Sequence, residues 1–95
     1  MKKKIHKVKG SFTILNEKGL HTRPSTEIVK CASNYKSEIH LRYDDFVVNA
    51  KSILGILMLA ASEGGKISVE AVGNDAEEAV GALIALAGRH FNMVY

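Results

Sequence analysis

Glu38-Ile39-His40-Leu41-Arg42-Tyr43-Asp44-Asp45-Phe46-Val47-Val48-Asn49 decides how this chain folds. Its first half alternates, with Ile39, Leu41 and Tyr43 on one face and His40 and Arg42 on the other. That is the period of a strand with one buried face. Asp44-Asp45 is turn chemistry, so Phe46–Asn49 pairs back as the short second arm of a hairpin.

On the N-terminal side, Ser11-Phe12-Thr13-Ile14-Leu15 alternates as another strand, and 16–19 reads as a turn. Pro24 suits the first turn of a following helix, where its missing N–H would have had no partner. Ile28, Val29 and Ala32, with Tyr35 one turn on, keep helical spacing, and Asn34 is the expected stop. On the C-terminal side, Ile53–Leu59 is an apolar run of seven that suits either a buried strand or a short helix. Ser52 as N-cap and Ala60-Ala61 beyond it favour the helix. After a turn at 63–66, Ile67, Val69 and Ala71 alternate as a fourth strand. The longest helix follows Gly73, with capping-box spacing in Asn74 and Glu77 or Asp75 and Glu78. Its apolar face is Ala76, Ala79, Val80, Leu83, Leu86, Ala87 and His90. Ile56, Met58 and Leu59 are expected in the core. The order β-α-β-β-α-β-α predicts an α+β open-faced β-sandwich. Its four-stranded antiparallel sheet has three helices on one face and a wet opposite face.

Ninety-five residues suit one domain, 1–95, with 1–7 as a short basic extension. The hydrophobic fraction is 46% but the aromatic fraction only 6%, so the core is aliphatic. The net charge of +3 misleads, because five of the 13 basic residues are Lys2, Lys3, Lys4, Lys7 and Lys9. Residues 10–95 hold 8 basic and 10 acidic groups, net −2, which argues against a nucleic-acid module. No apolar run approaches a bilayer span and no signal peptide opens the chain, so a cytoplasmic protein without membrane insertion is expected. The lone Cys31 has no partner for an internal disulfide. No metal-ligand spacing, P-loop or nucleophile-elbow motif is present, and neither a metal nor a cofactor is expected.

Gly19-Leu20-His21-Thr22-Arg23-Pro24-Ser25 carries the chemistry. An imidazole at a helix N-terminus lies beside backbone N–H groups with no helical partner, at the positive end of the helix dipole. A ring nitrogen there is a candidate nucleophile, and the same N–H groups would hold an anion once attached. Arg23 adds a planar fork suited to phosphate oxygens. Nucleophile, anion nest and guanidinium within three residues suit the reversible acceptance of a phosphoryl group. His6 and His40 have no such surroundings, and His90 sits near a helix end.

G-L-H-T-R-P-S at 19–25 resembles the active-site motif of HPr, the histidine-containing phosphocarrier family of the sugar phosphotransferase system. N-A-K-S-I-L-G at 49–55 resembles that family's regulatory-serine motif, at the family's usual separation. G-N-D-A-E-E-A at 73–79 also falls in step, and the resemblance covers roughly residues 8–95. It implies a monomeric phosphocarrier rather than a turnover enzyme. His21 would accept the phosphoryl group on Nδ1 from phosphorylated enzyme I and pass it to a IIA protein or domain. Arg23 would hold the phosphate oxygens, and Ser52 would be a regulatory phosphorylation site for an HPr kinase. Ile53, Leu54 and Leu57, with Thr22, would form the patch that binds partners in turn. Seven consecutive apolar residues cannot all point inward from one short helix. Three departures stand out: Thr22 where the family usually has Ala, Asp45 where Gly is common, and a longer lysine-rich start. The alternative is a regulatory or nitrogen-branch paralogue acting by phosphorylation-dependent partner binding.

Overall fold

Alternation becomes pairing in the computed structural model, which describes residues 6–94. The strands are β1 (Lys7–Thr13), β2 (Glu38–Tyr43), β3 (Phe46–Asn49) and β4 (Lys66–Val72). The helices are α1 (Thr22–Ala32), α2 (Ile53–Met58) and α3 (Ala76–Gly88), with a 3₁₀ turn at His90–Asn92. The sheet is antiparallel throughout, in the order β1-β4-β2-β3. The hairpin forms in the expected register, Tyr43 opposite Phe46 and His40 opposite Asn49. Asp44 supplies its turn with a left-handed φ of 54°, which Asp tolerates better than most residues.

Phe12, Ile39, Leu41, Ile67, Val69 and Ala71 turn to one side of the sheet. There they join Ile28 and Ala32 of α1 and the Ala76, Ala79, Val80, Leu83 and Leu86 face of α3 in a single core. The fit of α3 on β1 is tight at Gly10. A Cβ there would come within 2.8 Å of Val80 Cγ1 and 2.9 Å of Ile84 Cδ1. The missing side chain is what lets helix and strand approach.

Several expectations need correction. β1 begins at Lys7 and ends at Thr13, so Lys7 and Lys9 belong to the sheet rather than to a basic extension or tail. Their ammonium groups stand 3.6 and 3.7 Å from a Glu70 carboxylate oxygen on the neighbouring strand. Lys2, Lys3 and Lys4 lie outside the described residues. Met58 is 72% exposed, not core, because a six-residue helix buries only one narrow stripe, here Ile56 with Leu59 just beyond. His90 is not on the α3 face. The helix ends at Gly88, and Phe91 enters the core instead, edge-on to Phe12 at 5.8 Å between ring centroids.

The capping box at the start of α3 does not form. Asp75 is the N-cap residue, yet its side chain makes no cap hydrogen bond. Its carboxylate instead accepts from the Lys36 N–H (2.8 Å), the Ser37 N–H (3.0 Å) and the Ser37 hydroxyl. Two backbone donors ahead of β2 outcompete the helix's own amides. The Ser37 hydroxyl first, and then the Lys36 amide, hold the Asp75 carboxyl below the usual carboxylate range. A carboxyl whose acidity is raised by folding stabilises the native state above its unfolded pKa, and that contribution fades as pH falls through its folded value. Asp75→Asn should therefore lower the melting temperature at pH 6 more than at pH 3. An equal loss at both pH values would contradict the clamp.

Candidate functional site

The site is built from a left-handed glycine and a helix start. The Gly19 N–H donates to the Asn16 carbonyl at 3.0 Å, and Gly19 takes φ +68°. The Leu20 N–H donates to the Ala61 carbonyl at 3.0 Å, and the Leu20 side chain is buried. The loop is thus pinned to the chain just beyond α2 before His21 is reached. His21 is the N-cap of α1, in extended conformation at φ −80° and ψ −167°. The Ser25 N–H closes the first helical bond onto the His21 carbonyl at 3.1 Å, and the buried Ser25 hydroxyl donates to the Leu20 carbonyl at 3.2 Å.

The His21 ring does not cap the helix, so it is not committed to the first-turn amides. The ring is half-buried and its Nε2 is enclosed. The Thr22 and Arg23 amides have no carbonyl inside the helix to bond, and Pro24 brings none to satisfy. Arg23 is exposed and has no carboxylate within ion-pair distance among the described residues. His21, Thr22 and Arg23 therefore share the first turn of α1, where two backbone donors have no helical partner.

The second motif lies at the far end of α2 from Ala61. Ser52 is half-buried and its Oγ accepts from the Gly55 N–H at 3.1 Å, as an N-cap should. Ile53 is 39% and Leu54 67% exposed, while Leu57 is half-buried. With Met58 they form an apolar surface on α2, which packs against α1.

Sequence reasoning missed the strut that braces this site. After α3, His90, Phe91 and Asn92 take left-handed φ values of 56°, 54° and 64° in succession. Such conformations cost non-glycine residues about 1–2 kcal/mol each, and the burial of Phe91 offsets part of it. The turn places the His90 carbonyl to accept from Asn16 Nδ2 at 2.8 Å, and Asn92 Nδ2 to donate to Glu27 at 3.1 Å. One bond reaches the loop before His21 and the other the helix after it. The Asn92 carboxamide, opposed by partial burial and aided by Lys30 and Arg23, holds the Glu27 carboxyl below its usual range. Asn16 is fully buried. Nothing in its turn-like context distinguished it from an exposed turn residue.

No group of three His, Cys, Asp or Glu is placed to hold a metal ion among the described residues. Burial pushes the Cys31 thiol up, away from the thiolate form, although Arg89 opposes this. None of the described helices is long and apolar enough to cross a membrane.

A family model described as the PTS HPr component phosphorylation site matches residues 8–88. The chain is similar to the phosphocarrier protein HPr of Neisseria meningitidis serogroup A, at 43% identity over 84 residues, 88% of this chain and 94% of that one. The crystal structure of HPr-C-His from Thermoanaerobacter tengcongensis superposes with a TM-score of 0.87 at 39% identity, covering 93% of this chain and 99% of that one. An HPr dimer from the same organism gives a TM-score of 0.72 at 44% identity, over 82% and 90% of the two chains.

Proposed function

This chain belongs to the HPr phosphocarrier family, and from that premise we propose that His21 is its phosphoryl acceptor. The family consists of carriers in a phosphotransferase system, not of enzymes that turn over a substrate. In the proposed step, the bond from phosphorus to a donor nitrogen on phosphorylated enzyme I breaks as the bond to His21 forms. The group then leaves for an acceptor on a IIA protein or domain. One observation carries the reading: the imidazole sits at the helix start without capping it, in the same turn as Thr22 and the exposed Arg23. Enclosure of Nε2 supports Nδ1 as the nitrogen that is phosphorylated.

Phosphoryl transfer asks a protein mainly for positioning and charge stabilisation. The first-turn amides and Arg23 serve the transferring oxygens, and the exposed rim leaves the group accessible to the next protein. Ile53, Leu54, Leu57 and Thr22 are the surface against which enzyme I and the IIA acceptor dock, a small apolar patch suited to transient exchange. The test mixes the protein with phosphoenolpyruvate and a bacterial enzyme I and takes intact masses before and after brief acid treatment. One acid-labile phosphoryl group is expected. No gain from a competent enzyme I would favour a regulatory or nitrogen-branch paralogue.

Ser52 is the proposed regulatory site for an HPr kinase. A phosphate at this N-cap meets the amides of the α2 first turn, so the fold should tolerate it. Its charge would sit beside Ile53 and Leu54, in the docking patch. Ser52→Asp should raise the KM for enzyme I by about tenfold, roughly 1.4 kcal/mol of docking energy, with the melting temperature little changed. Equal transfer rates for variant and parent would sink regulation by blocked docking.

A further inference from the structure

The sheet face turned away from the helices is not a plain solvated surface. A hollow of about 330 Å³ opens there, its rim and floor carrying Lys9, His40, Arg42, Ser68, Glu70 and Val47. The register sets these side chains in two adjoining rows. Lys9, Glu70 and His40 lie side by side across β1, β4 and β2, and Ser68, Arg42 and Val47 across β4, β2 and β3. Among the described residues, Glu70 is the only acidic one lining the hollow, and Lys7 and Lys9 already approach it at 3.6 and 3.7 Å. Among the described residues, nothing forms an ion pair or hydrogen bond with the side chains of Arg42, His40 or Ser68. The hollow therefore has positive and donor groups in surplus: a guanidinium fork, an imidazole N–H, a hydroxyl and part of an ammonium, with its one carboxylate already shared.

We propose that this hollow binds a small phosphomonoester, its phosphate oxygens held by Arg42, Ser68 and His40 and its carbon body lying against Val47. A donor surplus around a forked guanidinium matches a tetrahedral oxyanion, which accepts several hydrogen bonds at once. The volume is at the small end of ligand sites and well above that of a bare phosphate ion, which favours a ligand with a carbon skeleton. This site is separate from the phosphoryl acceptor, because His21 belongs to the helix layer on the opposite face. Occupancy would report the level of a phosphorylated metabolite without competing for His21.

The test is a backbone amide NMR titration of the full chain with glycerol 3-phosphate, inorganic phosphate and chloride at matched ionic strength. Saturable shifts at residues 9–10, 40–42 and 68–70 are expected with glycerol 3-phosphate, and weaker ones with inorganic phosphate. They should persist in His21→Ala. Arg42→Gln, an exposed substitution that leaves the rest of the spectrum in place, should weaken binding by about tenfold, as loss of a charged hydrogen-bonding partner does. Ser68→Ala should weaken it less. Shifts that do not saturate, that chloride reproduces, or that centre on residues 20–25 would overturn the proposal. So would inorganic phosphate binding as tightly as the ester, which would mark a bare ion site. Binding of a tetraglutamate peptide in place of the ester would overturn it in favour of an acidic protein segment.

Discussion

His21→Ala is expected to take up no phosphoryl group from phosphorylated enzyme I, with its stability within about 1 kcal/mol of the parent, the range of a substitution outside the packed core. The two halves of this result have different causes. Transfer fails because no other nucleophile stands in the turn: Thr22 offers an unactivated hydroxyl and Arg23 a group that is always protonated. The fold survives because the ring is only half-buried and makes no cap bond, so α1 keeps its start through the Ser25 N–H and the His21 carbonyl. Arg23→Ala separates stabilisation from nucleophilicity. A charged hydrogen bond is worth about 1.5–3 kcal/mol, so transfer should slow by roughly 10–100-fold while the acid-labile product still forms. Stopped-flow mixing with phosphorylated enzyme I, followed by intact mass, reads both variants. Phosphorylation of His21→Ala to the parent's extent would remove His21 from its proposed role.

Gly19→Ala should damage both fold and transfer, although it adds only a methyl group. Gly19 is left-handed at φ +68°, a region that costs other residues about 1–2 kcal/mol. A Cβ there would also press into the Ala61 carbonyl, with the Ser62 Cα only 3.0 Å away. The same carbonyl accepts the Leu20 N–H, so the loop cannot make room without losing that bond and shifting the buried Leu20. Together these predict a loss of roughly 2–4 kcal/mol. A displacement of about 1 Å at His21 would cost phosphoryl transfer roughly 100-fold. Gly64→Ala is the matched control. Gly64 is also left-handed, at φ +84°, but a Cβ there meets nothing within 4 Å, so only the backbone cost of about 1–2 kcal/mol remains. Guanidinium unfolding and initial transfer rates would compare the two. Equal losses would show that the approach to Ala61 does not matter.

Much of this was legible beforehand, for identifiable reasons. The hairpin, the short helix after Ser52 and the site turn were readable because each depends on neighbours within a few residues. Asp44-Asp45 sits between two strands, Ser52 lies three residues before Gly55, and Pro24 lies three residues after His21. The errors share the opposite feature. Asp75 looked like a cap and is a clamp on Lys36 and Ser37, far back in the chain. His90 fitted the helical period and was displaced by Phe91, because the core had room for an aromatic ring against Phe12. Met58 looked buried because apolar composition does not reveal which way a short helix faces.

By itself the sequence determined the element types, the family resemblance and the candidate acceptor. Hydrophobic period, turn residues and caps are local, and their energies are nearly the same wherever the segment lies in space. Only the tertiary structure decided the strand order β1-β4-β2-β3, which puts the fourth strand between the first and second. It alone joined Leu20 to Ala61, Asn16 to His90 and Glu27 to Asn92 around the imidazole. It also gathered Lys9, His40, Arg42 and Ser68 into one hollow on the outer face. These are pairings between residues distant in sequence. They hold only because a shared core fixes both partners at once, and no local pattern carries that information.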